Sequence, residues 1–574
     1  MVLERLRIRL ANVDALPQLA LLGLSSGLIT GLIIMVFRLL IESVQAGFLP
    51  GANPENYEAL SAVTRFLLPL LGAVAIALLF YFIKSSASHV GVVHVLERLA
   101  YHQGHLPFKN LLVQFAGAAL SIISGHSVGR EGPGIHLGAA SSSLIGLGLK
   151  LPNNSIRILV ACGTAASIAA SFNTPLAGVI FAMEVIVMEY TIAGFTPIIL
   201  STVTATLLTR YVFGDSPAFT VPGLYLASIW EIPILIVLAL FIGVLAAWFN
   251  SLMSSTIKVS AKIALWQRLI LAGLLTGVCG VFVPEILGIG YDTVNSALLG
   301  QLGIKLLLLI VIVKLMITTV SLGLGLPGGL IGPTLVIGAA AGGLVGVVAG
   351  SVLDVEVASP GFYAMLGMGA MMGATLQAPL AALMALLELT VNTHIIMPGM
   401  LVVVIALIIT KQLFNKEGIY ITLLKVKGLD YRHNPVSQSL RRVGVASSME
   451  RSFTRVQREI SRHDAQLLVQ KQPDWIIIED DQRPVAIMRV ADLVKNLSIS
   501  QQDQIDLLEI PADRKDAVVV HIRSTLQQAL DIMDEHQINV LYVGQSDTID
   551  DSMIYGIIRR EKIEAYYGYR AENS

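Results

Sequence analysis

The 574 residues are 54% apolar and only 14% charged, with 39 Lys and Arg against 40 Asp and Glu. A soluble chain carries about a quarter charged side chains, so this composition suits lipid, and it excludes a fibrous or disordered class. The near-neutral balance lacks the basic stripe that neutralises phosphates, so no nucleic-acid partner is expected.

The charge is also unevenly divided. Residues 1–424 hold 19 basic and 17 acidic side chains, whereas residues 425–574 hold 20 and 23, which predicts a membrane body followed by a soluble tail. At the start, Arg5, Arg7 and Arg9 precede the first apolar run. This segment is too polar, and the run after it too long, for a cleaved signal peptide. The positive-inside rule places residues 1–15 in the cytoplasm.

Several stretches contain no Asp, Glu, Lys or Arg, among them 158–183, 190–209, 232–257, 315–353, 357–387 and 389–410. Each is long enough to cross a bilayer, which takes about 20 apolar residues. The run 315–353 holds ten glycines with Pro327 and Pro333, enough to fragment any single helix. Backbone groups freed in hydrocarbon need partners in protein or in a wet cavity, so broken helices are expected there, as in many transporters. Cys162 and Cys279 lie in apolar runs and read as small core residues. His94, His102, His105 and His126 show no ligand spacing with acids or cysteines, so no metal is expected. No Ser-His-Asp or phosphate-loop pattern occurs, so no enzymatic reaction is implied.

The segment Gly125-His126-Ser127-Val128-Gly129-Arg130-Glu131-Gly132-Pro133 places two charges inside an apolar stretch, where ionisable groups are costly and functional by default. Pro133 suits a first helical turn, and the glycines leave backbone N–H groups uncovered. A helix N-terminus with free donors is an anion site. Glu131 can occupy it until protonation or a competing ion displaces the carboxylate, a gate made from one side chain. Internal repetition supports a second such point. Residues 132–140 read against 332–340, and Gly163, Ala166, Pro175, Leu176, Ala177 and Glu184 read against Gly367, Ala370, Pro379, Leu380, Ala381 and Glu388. The second half supplies Gly328-Gly329-Leu330-Ile331-Gly332-Pro333 without charge, and two helix N-termini at one point hold an anion weakly enough to release it.

Charge returns at Lys425, which sets the tail boundary near Leu424. Strands are predicted at 473–479 and 484–488, then helix at 491–497. The order recurs as helix 524–537, strands 539–543 and 553–558, and helix 559–566.

Gly129-Arg130-Glu131-Gly132-Pro133, the Gly328–Pro333 segment and Glu417-Gly418-Ile419-Tyr420 resemble the three signature elements of the CLC family of chloride channels and chloride/proton antiporters, over nearly the whole membrane body. The tail resembles the paired CBS domains of many members. The resemblance implies an α-helical polytopic membrane protein with an inverted repeat of broken, tilted helices (about 16–213 and 230–424), followed by an α/β CBS-type cytoplasmic domain (about 440–500 and 510–570). It implies a homodimer in the inner membrane with one pore per subunit and the tail in the cytoplasm. Glu131 then resembles the gating glutamate, and Leu330 and Ile331 the central anion site. Tyr420 resembles the tyrosine whose hydroxyl meets the ion, and Gly91 and Gly132 join the anion path.

Three departures stand out. The family's first anion loop, Gly-Ser-Gly-Ile-Pro, corresponds to Ser88-His89-Val90-Gly91-Val92-Val93, with Val90 at the serine unless a shift in register lets Ser88 serve. The acid that relays protons from the cytoplasm in antiporters is Val185, next to Glu184. The CBS nucleotide pattern Gly-x-x-Thr-x-x-Asp is met by Asp492 but with Arg489 at the threonine, and the second unit carries Lys562 at the acid. Adenine nucleotide is therefore not expected as a cofactor, and Arg559, Arg560 and Lys562 read as a solvated helix face. The leading expectation is gated, channel-like permeation of chloride or a similar small anion, motivated by Val185. The alternatives are a chloride/proton antiporter drawing protons through Glu131 with Glu184 or Glu189, and a nucleotide-sensing receptor without flux.

Overall fold

The computed structural model describes residues 7, 9–11, 15–52, 54–83, 89–190, 192–215, 218–219, 224–352, 357–429, 435–545 and 553–571. The chain forms two compact units: Ala20–Leu147 with Arg157–Tyr431, and Met1–Leu19 with Gly148–Ile156 and Arg432–Ser574.

From the N-terminus the helices are α1 Leu16–Phe48, α2 Ala62–Tyr81, α3 Val92–Tyr101, α4 Phe108–Ile123, α5 Glu131–Gly148, α6 Asn153–Phe172, α7 Pro175–Phe181, α8 Ile192–Phe213 and α9 Ile232–Ser260. They continue as α10 Leu265–Phe282, α11 Tyr291–Leu298, α12 Ile304–Gly323, α13 Ile331–Val352, α14 Pro360–Leu376, α15 Pro379–Thr390, α16 Ile396–Ile408 and α17 Ile419–Val426. Among the described residues, nine helices are long and apolar enough to cross a membrane. Two of the charge-free runs are each two helices. The run 158–183 breaks where Asn173 takes a left-handed conformation (φ 62) ahead of Pro175, and 357–387 breaks at Gln377 (φ 59) ahead of Pro379. Proline cannot continue a helix through its missing N–H. The run 315–353 breaks as its glycines and prolines predict, turning through Gly325 (φ 102) between α12 and α13.

The two halves of the body contact each other reciprocally. The loop before α5 and the loop before α13 run antiparallel, Gly129 N–H donating to Gly329 O at 2.7 Å and Gly329 N–H to Gly129 O at 2.8 Å. Glu184 accepts from Leu380 N–H (3.3 Å) and Ala381 N–H (2.7 Å) at the start of α15. Its repeat mate Glu388 accepts from Leu176 N–H (3.0 Å) and Ala177 N–H (2.7 Å) at the start of α7. Each half also crosses its paired helices at glycine. A Cβ on Gly138 meets Gly163 O at 2.2 Å, and one on Gly338 meets Gly367 O at 2.3 Å. Reciprocal contacts are the mark of two-fold symmetry, and the antiparallel bridge sends the two halves in opposite senses.

One expected boundary is corrected. α17 runs across position 424 with Leu423 and Leu424 buried, while Lys425 turns outward to Glu417 at 2.6 Å. The return of charge is the polar face of a helix that still belongs to the body. At the N-terminal side, Asn154 donates to Leu10 O (3.0 Å) and Arg442 O (3.2 Å), so Leu10 belongs with the tail's unit.

In the tail, short helices α18 Pro435–Arg441 and α19 Val445–Ser448 lead into β1 Phe453–Gln457 and β2 Glu459–Ser461, then α20 Arg462–Gln470, β3 Trp475–Asp480, β4 Arg483–Arg489, α21 Val490–Ile499, β5 Gln504–Asp506 and β6 Lys515–Asp516. The second unit is β7 Val519–His521, α22 Leu526–Glu535, β8 Val540–Gly544, β9 Ile554–Arg559 and α23 Arg560–Ala571. Each unit pairs a parallel and an antiparallel neighbour, β1-β3-β4 and β7-β8-β9. The two sheets share a core of Trp475, Ile477, Ile487, Val519, Val540, Tyr542 and Ile557. The basic residues expected to form a solvated face are paired instead. Arg559 meets Glu450 at 2.6 Å, Lys562 lies 3.9 Å from the same carboxylate, and Arg560 pairs with Asp534.

The reciprocal caps carry stability. Charge-assisted hydrogen bonds contribute about 1.5–3 kcal/mol, so Glu388→Ala is expected to lower the thermal unfolding temperature of the detergent-solubilised protein, with Glu388→Gln intermediate because the amide keeps one acceptor. An unchanged Glu388→Ala midpoint would refute the role.

Candidate functional site

α5 opens at Glu131 with Pro133 in its first turn, as the sequence predicts. The Glu131 side chain is 1% exposed and does not pair with Arg130. Its Oε2 accepts from Gly332 N–H at 3.1 Å, so the carboxylate sits in the first turn of α13, the opposite half's helix. Glycine is required at this crossing, since a Cβ on Gly132 meets Gly329 Cα at 2.7 Å and one on Gly329 meets Gly132 N at 2.6 Å. Arg130 turns away, toward Glu42 (3.4 Å) and Ser171 O (3.2 Å).

The second carboxylate oxygen of Glu131 accepts from the hydroxyl of Tyr291, the first residue of α11. Sequence reasoning missed this residue. Its only signal is the Gly288-Ile289-Gly290-Tyr291-Asp292 turn, where Gly290 (φ 86) redirects the chain. Tyr291 N–H donates to Glu55 Oε2 at 2.9 Å, Phe219 meets the ring edge-on at 5.5 Å, and the Arg130 guanidinium lies 5.3 Å from the ring centroid. Arg130 and Tyr291 line a cavity of about 540 Å³ that also receives Arg38, Glu42, Glu55, Arg210 and Asp292.

On the far side of the crossing, a cavity of about 320 Å³ brings Gly91, Gly132, Leu330 and Tyr420 together. Ile331 begins α13 but does not line it, and Ser88 lies outside the described residues. Val90 is in the wall. The only charged residues among its described lining are Arg268 and Lys427. Three residues of the lining carry buried polar atoms without a hydrogen-bond partner among the described residues: the Tyr420 hydroxyl, both atoms of the Gln114 amide and Arg268 Nε. Gln114 also escaped the sequence reading, since a lone amide on an apolar helix carries no motif.

The proton-route candidates are not gathered at this crossing. Both oxygens of Glu184 serve as a cap, Val185 is buried beside it, and Glu189 lies half-buried past the left-handed Met188 (φ 56). The histidines hold a surprise. His94 Nδ1 lies 2.9 Å from His136 Nε2, and Arg98 Nε donates to His94 Nε2 at 3.1 Å. Arginine only donates, so His94 accepts at Nε2 and donates from Nδ1 to His136.

Helices broken at glycine and proline, reciprocal halves, and a carboxylate on the helix start between two cavities define an ion-path architecture. The chain belongs to the voltage gated chloride channel family, the CLC family, whose model matches residues 71–411. It is 32% identical over 390 residues to a ClcB-like protein of Ralstonia nicotianae, covering 66% of this chain and 90% of that protein. It is 30% identical over 326 residues to the H(+)/Cl(-) exchange transporter ClcA of Vibrio cholerae, covering 55% of this chain and 69% of that one. The fold is similar to the crystal structure of a eukaryotic CLC transporter, with a TM-score of 0.57 at 20% identity over 98% of this chain and 99% of that chain.

The glycine crossing tolerates no Cβ. Gly329→Ala is expected to abolish recovery of monodisperse protein by size-exclusion chromatography. Gly343→Ala, whose Cβ meets Leu307 and Ala364 side chains at an ordinary 3.5–3.7 Å, is expected to leave recovery unchanged.

Proposed function

We propose that this protein conducts chloride or a similar small anion across the membrane and that Glu131 is its gate. The observation that carries the reading is the Glu131 carboxylate held on Gly332 N–H at 3.1 Å between two cavities. A helix N-terminus favours negative charge there. The carboxylate is the resident anion while the path is closed. Protonation removes its charge, or an arriving ion takes its donor, and the side chain leaves.

The cavity lined by Arg130 and Tyr291 is read as the outer mouth and the Tyr420 cavity as the inner one. In the inner cavity the glycines Gly91 and Gly132, the backbone at Leu330, and the Tyr420 hydroxyl contact the ion. These neutral dipoles bind weakly enough for release. Gln114 supplies the donor that Val90 lacks. Glu184 caps α15 and the neighbouring Val185 is apolar, so the pathway is read as channel-like and uncoupled. Antiport is the second reading. It is favoured by the intact Glu131 and by relatives named H(+)/Cl(-) exchange transporters, and it needs Glu189, Glu184 or water to bring the proton. The tail is read as a CBS pair that supports a homodimer, with both termini cytoplasmic in an inner membrane. Lys562 near Glu450 leaves no acid for a ribose, so adenine nucleotide is not part of this reading.

Proteoliposome flux separates the readings. Glu131→Gln is expected to conduct chloride at a rate that no longer responds to external acid. Wild type is expected to move no protons uphill down a chloride gradient, and uphill movement replaces the channel reading with antiport. A wild type without any anion flux leaves only the receptor. Gln114→Leu is expected to lower chloride flux roughly tenfold, the equivalent of one hydrogen bond, with partial recovery on adding Val90→Ser. Wild-type flux in Gln114→Leu removes the amide from the ion path.

A further inference from the structure

We propose that Tyr291 is a latch on the Glu131 gate, its hydroxyl holding the carboxylate closed and Glu55 and Arg130 holding the ring in place. The inference rests on the gate reading above and adds a second control to it.

The carboxylate has both oxygens engaged, Oε2 by Gly332 N–H at 3.1 Å and Oε1 by the Tyr291 hydroxyl. The two bonds differ in kind. Gly332 N–H sits at the start of α13, where an arriving anion takes over the same donor and displaces the carboxylate without leaving it orphaned. The phenol stands at the wall of the charged cavity. It must release Glu131 and turn to water for the side chain to move, so gate opening depends on this second bond even when an anion is present.

Tyr291 is held by contacts that do not involve the gate. Its backbone N–H is bound to Glu55 at 2.9 Å, and its ring packs against Phe219 at 5.5 Å and Phe172 at 6.1 Å. Arg130 lies over the ring at 5.3 Å while its two terminal nitrogens are spent on Glu42 and Ser171 O. The cation adjacent to Glu131 in sequence therefore steadies the latch rather than the gate. The titratable and charged groups facing this pair are Arg38, Glu42, Glu55, Arg130, Arg210 and Asp292 from the charged cavity and Tyr420 from the other side. Among the described residues, the side-chain donor to the Glu131 carboxylate is the Tyr291 hydroxyl.

A donor on a carboxylate stabilises its charged form. Removing the hydroxyl therefore leaves the Glu131 carboxylate with one of its two bonds and makes it easier to displace. In chloride efflux from proteoliposomes, Tyr291→Phe, which keeps the packed ring, is expected to speed efflux roughly tenfold, the equivalent of one hydrogen bond to a charged group. The external pH of half-maximal acid activation is expected to rise by about one unit. In a Glu131→Ala background, Tyr291→Phe is expected to add nothing. A wild-type rate and pH profile in Tyr291→Phe, or the same acceleration with Glu131→Ala present, overturns the latch while leaving the gate standing. If Glu131→Ala alone leaves flux unchanged, the gate reading itself fails. Where Tyr291→Phe is not recovered as monodisperse protein, Glu55→Leu, which removes the acceptor of Tyr291 N–H, is expected to move rate and pH profile in the same direction, and wild-type behaviour there also overturns the proposal.

Discussion

The architecture depends on how two stretches of non-helical backbone are satisfied at membrane depth. An unpaired peptide group in hydrocarbon costs several kcal/mol, and the loops before α5 and α13 each leave such groups. They solve the problem together, through the Gly129–Gly329 bridge at 2.7 and 2.8 Å. That bridge demands backbone contact too close for any Cβ at 132 and 329, while a Cβ at 129 would run into the Glu131 carboxylate. It also brings the two helix starts so near each other that a side chain from one reaches the N–H groups of the other. The position of Glu131 on Gly332 follows from the bridge.

The same economy governs the other pair of broken helices. α7 and α15 begin at prolines and expose N–H groups of their own, and each is capped by the glutamate of the opposite repeat. A carboxylate spent in this way on two backbone donors is poorly placed to shuttle protons, because losing its charge removes the cap. Structure and mechanism thus compete for the same acid. On the channel-like reading, with Val185 at the neighbouring position, Glu184 serves as the cap on α15, and this is the physical content of that reading.

Much of this was legible in the sequence. The breaks at Pro175, Pro333 and Pro379 were readable because proline and glycine act locally. The offset repeat was readable because two-fold contacts need the same residue types twice. The tail's strands and helices fell within a few residues of expectation, since period and caps are also local. What escaped was set by contacts distant in sequence. Tyr291 lies 160 residues from Glu131, in a turn with no motif. Gln114 is an ordinary amide until an apolar wall leaves it without a partner. His94 and His136 share no ligand spacing and meet only because α3 and α5 pack side by side. The tail boundary was misplaced because α17 shows its charged face at Lys425 while its other face is still buried.

Arg130 and Glu131 illustrate why adjacency in sequence is a poor guide to pairing at membrane depth. A direct ion pair between neighbours would neutralise the gate and fix it, since buried pairs resist separation once formed. At a helix start, successive side chains diverge by about 100°, set by 3.6 residues per turn, and the two charges go to different partners. The arginine joins Glu42, a carbonyl and an aromatic face. The glutamate is left to neutral donors, one backbone N–H and one phenol. A carboxylate held by neutral groups can be displaced by another anion at little electrostatic cost, whereas one held by a guanidinium would leave an unpaired cation behind. On the gate reading proposed above, keeping the arginine off Glu131 is what lets a single acid act both as plug and as moving part.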